Sequence, residues 1–390
     1  MNQRRWILPV IVISQFCCTS LWFAGNAVMS NLVIDFHLEN SALGHLTSTV
    51  QFGFITGTLV FALLTIADRF SPSLVFFLSA LAGGLFNLGI IIEWNSFTSL
   101  LAYRFLTGFF LAGIYPVGMK IAADYYDKGL GKSLGFLVGA LVVGTAFPHL
   151  LKGLINELPW RLVLVLTSSL ATLGGLLMIL LVPDGPYRKP SQKLDLTTLF
   201  KVFGNKNFRS AAFGYFGHMW ELYAFWAFVP VLLTTYIKLH TDTILNIPIL
   251  SFLIIGAGGI ACILGGYLSQ ILGTKTTAFH ALFLSALCCL LSPLLFLIGS
   301  STLVIVFLIF WGMMVIADSP LFSTLVAQNS IAESKGTALT IVNSIGFSIT
   351  ILSIQLINTL IEDMNPKYIY MVLAVGPIFG LIAMYEKNSS

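Results

Sequence analysis

Twelve long apolar runs organise the sequence and constrain its fold more than any other feature. Each run approaches the ~20 residues that an α-helix needs to cross a hydrocarbon core. The 390 residues are 57% hydrophobic and only 9% charged, whereas soluble proteins carry roughly 25% charged residues. We therefore predict an all-α integral membrane protein. Its twelve transmembrane helices are expected at about 6–28, 43–66, 72–93, 97–122, 133–154, 160–181, 208–236, 249–272, 276–299, 302–326, 336–360 and 367–385.

The longest polar break, 183–207, divides the runs into six and six. It holds three prolines and five basic residues, a composition typical of a linker. We predict an N-terminal six-helix half over 1–182, a cytoplasmic linker over 183–207, and a C-terminal six-helix half over 208–390. Two pseudo-symmetric bundles of this kind are typical of transporters that move two halves around a site near the bilayer midplane.

The basic residues predict the orientation of the chain. With the amino terminus inside, fifteen Lys and Arg residues fall at inner ends and four fall outside, with Arg104 left within a run. This bias follows the positive-inside rule, so both termini are expected in the cytoplasm. We expect the first run to be retained as a helix of a plasma (inner) membrane protein. The net charge of +4 is spread over short loops and predicts no nucleic-acid partner.

The stretch from Gly214 to Trp226, GYFGHMWELYAFW, places a carboxylate inside an apolar run. His218 and Glu221 share a helix face because they are three residues apart. A charge at the bilayer centre costs about 2.5–3.5 kcal/mol on insertion scales, so Glu221 is expected to face protein or water. We predict half of a substrate or proton site here. Three neighbouring aromatic residues are candidates for packing a solute: Trp220, Tyr223 and Trp226.

His218 is open to other interpretations. A histidine in a packed helix is often a core residue whose ring bonds a carbonyl. An H-x-x-E pair also has two of the ligands that a zinc site needs. No further His or Cys converges on this stretch in the sequence, so we expect no metal site.

Asp318 lies just before Pro320 in a later apolar run. Proline interrupts the hydrogen-bond ladder of a helix and frees carbonyl groups. A broken helix with an aspartate predicts a gate or an ion site. The alternative is a kink that lets Asp318 reach cytoplasmic water.

Polar residues in the early runs are candidates for substrate contact. On the first helix their spacings of seven and four form one stripe. Such a stripe faces protein and either contacts a solute or joins helices. The candidates are Gln15, Trp22 and Asn26 on the first helix, Gln51 on the second and Tyr115 on the fourth.

Several motifs resemble those of the major facilitator superfamily, and the resemblance covers essentially the whole chain. Asp68 and Arg69 match the acidic–basic pair of its G-x-L-(A/S)-D-R-x-G-(R/K)-(R/K) loop, and Arg104 to Gly108 looks like its R-x-x-x-G pattern. The resemblance implies a twelve-helix fold and links Arg104 to proton coupling. It also implies a gating latch in the two matching loops, with Asp68, Arg69, Gly266, Gly273 and Lys275 as its residues.

Depth in the membrane suggests a partner for Glu221. Arg104 is about seven residues, or roughly 10 Å, below the outer end of its helix, and Glu221 is about thirteen residues, or roughly 20 Å, above the inner end of its own. In a core about 30 Å thick these depths coincide. The resemblance places both helices around a central cavity. We predict that Arg104 and Glu221 meet, the alternative being local partners for each.

These observations predict a secondary active transporter that exchanges a proton at Glu221. Asp318 and His218 are the alternative proton carriers. Arg104 and His218 favour a small organic solute that is anionic or zwitterionic. Import by symport is our first hypothesis and efflux of a drug or metabolite by antiport is the second. A transporter-like receptor or intramembrane enzyme is a remote third, and the sequence contains no nucleophile–base motif that would make the chain an enzyme. We expect a monomer in a lipid bilayer, driven by the proton gradient without a cofactor.

Overall fold

The computed structural model describes residues 6–39, 41–126, 130–154, 159–188, 202–241, 243–330 and 335–385, with the side chains of 130–132 left out. The chain divides into two compact units, Met1–Lys193 and Leu194–Ser390. Much of the predicted linker, residues 189–201, lies outside the described residues, as do the ends predicted to be cytoplasmic, 1–5 and 386–390.

The described part of the first unit is built from helices. Several of the predicted runs are split into two or three pieces. The helices are α1 Ile7–Thr19, α2 Ala24–Ala27, α3 Met29–Asp35, α4 Ala42–Leu63, α5 Ile66–Arg69, α6 Pro72–Gly89, α7 Phe97–Leu111, α8 Tyr115–Tyr125, α9 Leu130–Leu154 and α10 Arg161–Leu181.

The described part of the second unit is also built from helices, joined by short connections. Its longest helix contains the stretch around Glu221. The helices are α11 Lys206–Leu239, α12 Ile247–Leu272, α13 Thr274–Leu295, α14 Ser301–Ala317, α15 Ser319–Gln328, α16 Lys335–Asp363, a 3₁₀ helix Ile369–Ala374 and α17 Val375–Tyr385.

The helices confirm the predicted all-α membrane fold. Among the described residues, ten helical stretches are long and apolar enough to cross a membrane. Two shorter apolar helices, Ile7–Thr19 and Ile369–Tyr385, lie in the first and last predicted runs. The prediction of an unbroken first helix is wrong, because α1 ends at Thr19 and two tight turns follow. In these turns the amides of Leu21 and Trp22 bond the carbonyls three residues back.

Proline breaks the fourth run of each unit. Pro116 follows the gap between α7 and α8, and Pro320 follows Asp318, which separates α14 from α15. A proline ring clashes with the carbonyl four residues earlier and offers no N–H, so the ladder stops there. The break before Pro320 was expected from the sequence. The predicted fourth span, 97–122, matches one apolar stretch, Phe97–Tyr125, that is long enough to cross a membrane, and the break at Pro116 lies within it.

Each unit contains an equivalent close contact between two helices that is made at a glycine. A Cβ atom built on Gly108 of α7 would lie 2.0 Å from the carbonyl oxygen of Val50 in α4. In the second unit, a Cβ on Gly312 of α14 would lie 2.0 Å from the carbonyl oxygen of Ile254 in α12. In each unit, the fourth run therefore packs on the second at a distance that only glycine allows. Small residues permit this close approach of membrane helices.

Candidate proton-coupling and substrate site

Glu221 is buried in the second unit and accepts hydrogen bonds from two other helices. Ser285 of α13 donates from its hydroxyl at 2.5 Å, and Trp311 of α14 donates from Nε1 at 2.6 Å. Both bonds end on the same oxygen, Oε1, and the Glu221 side chain is 1% exposed. Among the described residues of its own unit, Glu221 has no Lys, Arg or His at ion-pair distance. Within the described part of its unit, the carboxylate is therefore hydrogen-bonded without a compensating cation.

Aromatic packing holds the Trp311 donor in place. The Trp311 indole lies 4.4 Å from the ring centre of Phe225, which is one helical turn beyond Glu221 on α11. Phe307 meets the same indole edge-on at 6.1 Å. Trp311 is completely buried, so its N–H must find a partner in the protein. The partner it finds is the Glu221 carboxylate.

His218 and Asp318 form a pair that sequence reasoning missed. Nδ1 of His218 lies 2.8 Å from Oδ1 of Asp318, and both side chains are 1% exposed. The contact is an ion pair when His218 is protonated. By hydrogen-bond geometry, neither ring nitrogen of His218 and neither carboxylate oxygen of Asp318 has a partner among the described residues. The two residues are 100 positions apart and on different helices, so no local spacing signals the contact. The sequence placed both residues in the site but gave them separate roles.

The three aromatic candidates of α11 lie in two different environments. Tyr223 and Trp226 are buried with ring centres 5.3 Å apart, and Tyr223 also lies 5.3 Å from Phe347 of α16. Trp220 instead donates from Nε1 to the carbonyl of Val372 at 3.3 Å. The structure therefore groups Tyr223 with Trp226 and directs Trp220 towards the last helical segment, where it packs.

The polar candidates of the first unit mostly join helices. Trp22 donates from Nε1 to Oε1 of Gln51 at 3.2 Å, and Asn26 donates from Nδ2 to the Thr47 hydroxyl at 2.7 Å. These two bonds tie the first run to the second. Their donors, Trp22 and Asn26, belong to the polar stripe that was predicted from the sequence.

Gln15 and Tyr115 differ from those helix-joining residues. Gln15 is completely buried, and neither amide atom of its side chain has a partner among the described residues. A Cβ on Gly118 of α8 would lie 2.4 Å from Oε1 of Gln15, so Gly118 provides the space for this amide. Tyr115 begins α8 and is half-buried. The structure thus places Gln15 between α1 and α8.

Arg104 donates hydrogen bonds to backbone carbonyls at the break in the first run. Its Nη1 and Nη2 donate to the carbonyls of Leu21 at 3.3 Å and Trp22 at 2.6 Å. The guanidinium replaces the amide donors that a continuous helix would supply, and the side chain is 1% exposed. Nε of Arg104 has no partner among the described residues. The partners found for Arg104 and for Glu221 each lie in the residue's own unit, and a pair between the two residues stays a prediction.

Asp68, one of the two predicted latch residues of the first unit, belongs to an ionic cluster. Asp68 lies 2.8 Å from Nζ of Lys120, and Arg188 donates to the carbonyls of Asp68 at 3.0 Å and Phe70 at 2.8 Å. Arg69 bonds only locally among the contacts found, through Nε to the Thr65 hydroxyl at 3.1 Å. The cluster connects the loop after the second run with α8 and with the end of the unit.

The matching loop of the second unit is built around Gly273. This residue has φ +88° and is the single residue between α12 and α13. Such a backbone angle favours glycine, because other side chains clash there. Gly266 lies one and a half turns before the helix end, and Lys275 is exposed in the first turn of α13. Lys275 borders a cavity of about 240 Å³ together with Asn207, Ser210 and Asn329.

Comparison with known proteins decides the family. The model of the Major Facilitator Superfamily matches residues 11–354. The chain belongs to the Major Facilitator Superfamily. As a member of this superfamily it is a multi-pass membrane transporter of small solutes. No curated protein sequence matches the chain at a significant level.

Solved structures of superfamily transporters share the fold. The chain is 16% identical to a bacterial homologue of the human lysosomal transporter Spinster, in an inward-facing and unoccupied conformation, with a TM-score of 0.71 over 98% of this chain and 95% of the other. It is 15% identical to a mutant of the nucleoside transporter NupG, with a TM-score of 0.73 over 97% of this chain and 100% of the other. At these identities the likeness concerns the fold alone.

Proposed function

We propose that this transporter couples the movement of a small organic solute to proton uptake and release at Glu221. The observation that carries the proposal is a buried carboxylate that accepts hydrogen bonds from Ser285 and Trp311 and has no cation at ion-pair distance among the described residues of its unit. A charge held in hydrocarbon surroundings is costly, and a bound proton removes it. Protonated Glu221 is neutral and can therefore be buried at little cost. Ionised Glu221 carries a buried charge that hydrogen-bond donors or a cation must stabilise.

Two donors make the ionised state of Glu221 accessible. Hydrogen bonds to an ionised group are roughly twice as strong as bonds between neutral groups. The Ser285 hydroxyl and the Trp311 indole both donate, so they favour the carboxylate at the moment the proton leaves. Removing the carboxyl charge while keeping its shape should therefore stop coupling and leave binding in place.

The solute is proposed to be small and organic, with an anionic or zwitterionic group. Nε of Arg104 and Nε2 of His218 are among the nitrogens without a hydrogen-bond partner among the described residues. Such nitrogens can donate to a carboxylate, a phosphate or a carbonyl of a solute. Tyr223 and Trp226 add apolar surface. NupG shares the fold, so nucleosides belong in the first panel of test solutes.

We propose import by symport in a plasma (inner) membrane, with both termini in the cytoplasm and a monomer as the working unit. In the alternative, efflux by antiport, the same carboxyl would carry the proton inward while the solute moves outward. The chain is proposed to act without enzymatic activity or a cofactor. The direction of the proton gradient that drives accumulation distinguishes symport from antiport.

The test uses the full chain in proteoliposomes. A panel of nucleosides, amino acids and organic acids is screened by thermal stabilisation, and the hits are assayed for uptake with and without a pH gradient. Glu221→Gln should lose uphill transport by at least about a hundredfold and keep solute exchange without a gradient, as expected when a step made only by one protonation state is removed. Glu93→Gln, an exposed carboxyl in the same chain, is the matched control. Uphill transport by Glu221→Gln at the rate of the parent would overturn the proposal.

A further inference from the structure

The cavity of about 240 Å³ beside Lys275 lies among four helices of the second unit. Its walls are the beginnings of α11 and α13 and the ends of α15 and α17. Leu325 and Met384 are buried in these walls, and the polar lining consists of Asn207, Ser210, Lys275 and Asn329. Asn207 and Lys275 are exposed, so the cavity opens at its polar side. Its volume is roughly eight times the ~30 Å³ that one water molecule occupies in the liquid.

In the first unit, the corresponding corner is filled by the chain itself. This corner lies where α6 begins and where α8 and α10 end. Ser73 donates from its hydroxyl to the carbonyl of Val182 at 2.6 Å, and the amide of Tyr187 donates to the carbonyl of Asp124 at 3.0 Å. A Cβ on Gly185 would lie 2.4 Å from that same carbonyl oxygen. The segment after α10 therefore packs directly on the end of α8, whereas the equivalent corner of the second unit contains the cavity.

The two corners also differ in charge compensation. In the first unit, Nζ of Lys120 lies 2.8 Å from the carboxylate of Asp68. In the matching loop of the second unit, Gln270 takes the position of Asp68. Lys275, five residues further on, has no ion-pair partner among the described residues. The cavity is therefore bordered by a cation whose charge the described part of the unit does not neutralise.

The acidic side chains of the second unit lie far from the cavity. In the described part of this unit they are Glu221, Asp318, Glu362 and Asp363. The first two are buried, roughly 20 Å and 16 Å along their helices from the ends that line the cavity. The last two end α16, roughly 40 Å from the first residue of that helix. The cavity end of the unit instead carries four cations: Lys206, Arg209, Lys275 and Lys335.

We propose that this cavity binds a phosphate ester. Lys275 supplies the positive charge, because a lysine ammonium binds phosphate as a point charge. The hydroxyl of Ser210 and the side-chain amide of Asn207 supply further donors. Neither side chain is hydrogen-bonded to another described residue, so both are available to a ligand. The volume leaves room for a small organic group beside the phosphate, and the buried wall at Leu325 and Met384 gives that group an apolar surface.

The phosphate belongs either to a soluble ester or to the headgroup of a membrane lipid. Both present the same group to Lys275, because the cavity opens where the membrane-spanning helices end. A ligand bound there contacts α11 and α13 together and stabilises the folded unit by mass action. The site is separate from the proposed proton coupling at Glu221, and its test requires no transport.

The experiment compares two probes that carry the same headgroup. The full chain is purified in a neutral detergent at about pH 8, where a phosphate monoester carries nearly two negative charges because its second pKa is about 6. In the soluble arm, equilibrium dialysis gives the Kd of radiolabelled glycerol 3-phosphate, with chloride at equal ionic strength as the blank. In the lipid arm, the Tm is measured in phosphatidylcholine nanodiscs with and without phosphatidic acid, the diacyl ester of glycerol 3-phosphate.

The proposal predicts a graded series of variants. Lys275→Gln should weaken binding by at least about tenfold, since it removes a charge-assisted contact. Ser210→Ala should weaken it by about threefold to tenfold, since it removes a hydroxyl donor. Lys206→Gln is the matched control, an exposed lysine of the same helix end that does not line the cavity, and should change the Kd by less than about twofold. In the lipid arm, Lys275→Gln should lose the rise in Tm and Lys206→Gln should keep it.

This pattern in either arm supports the site, and the arm that shows it identifies the source of the phosphate. Equal effects of Lys275→Gln and Lys206→Gln in both arms would overturn the site, because the general positive charge of this end would then attract the phosphate. Absence of binding to the parent in both arms would overturn it as well. Thermal unfolding without ligand checks that each variant folds, and Ser210→Ala against the parent decides the question if Lys275→Gln does not fold.

Discussion

The indole Nε1 of Trp311 donates a 2.6 Å hydrogen bond to Oε1 of Glu221. Both side chains are buried, and the bond joins the fourth run of the second unit to the helix that begins that unit. A donor of this kind stabilises the carboxylate more than the protonated acid. The contact therefore links the stability of the fold to the protonation state of the coupling carboxyl.

Trp311→Phe should destabilise the protein more at alkaline pH than at acid pH. The substitution keeps an aromatic ring against Phe225 and removes the N–H donor. A hydrogen bond to a charged group contributes about 1.5–3 kcal/mol, whereas the same bond to an oxygen of the protonated acid contributes about 0.5–1.5 kcal/mol. Thermal unfolding in detergent across pH measures the difference. Trp94→Phe, at a side chain that is 87% exposed, is the control and should shift little at any pH. Equal losses at both pH extremes would show that the donor does not act on an ionised carboxyl.

Arg104→Lys should lower the free energy of unfolding by about 1.5–3 kcal/mol, because an ammonium cannot reach both carbonyls that the guanidinium holds in the break of the first run. Arg209→Lys is a matched control. Arg209 also donates to two carbonyls, those of Phe203 and Gly204, but at a partly exposed helix start. Its loss should stay within about 0.5 kcal/mol. Unfolding titrations with SDS compare the two variants, and similar losses would contradict the role given to Arg104.

Asp68→Asn and Lys120→Gln should show a coupling energy of about 0.5–1 kcal/mol in a double-mutant cycle, decreasing as salt is added. Their charged atoms are 2.8 Å apart and both side chains are mostly shielded. The exposed pair Arg161 and Glu93, at 3.6 Å, is the comparison and should show a coupling near zero. A coupling for Asp68 and Lys120 that equals the comparison would remove the stabilising role of the latch cluster.

Gly108→Ala should destabilise the first unit by about 1–3 kcal/mol or prevent folding, because the added methyl group meets the Val50 carbonyl at 2.0 Å. Gly135→Ala adds the same group within α9, where, apart from the helix's own backbone, no atom of the described residues lies within 4 Å of the added Cβ. It should be neutral or stabilise by about 0.5–1 kcal/mol, since alanine favours the helix. Expression level and thermal unfolding measure both variants. Equal behaviour of the two alanines would contradict the close packing of α4 and α7.

Much of this fold was predictable, because long apolar runs report directly on membrane spans. The break at Asp318 was also predictable from Pro320. The break after Thr19 was not, since no proline marks it and its carbonyls are satisfied by Arg104 from another helix. The pair of His218 with Asp318 depends on how α11 packs against α14 and α15. Contacts between distant helices leave no spacing in the sequence, and so the candidate residues were recognised without their partners.

The most direct test of the central claim is infrared difference spectroscopy of the purified protein across pH. We predict that a protonated carboxyl band disappears, and carboxylate bands appear, as the pH of the sample is raised. That pair of changes should be absent from Glu221→Gln and retained in Glu93→Gln. An identical pair of changes in Glu221→Gln and in the parent would contradict the account, because Glu221 would then not be the group that gains and loses the proton.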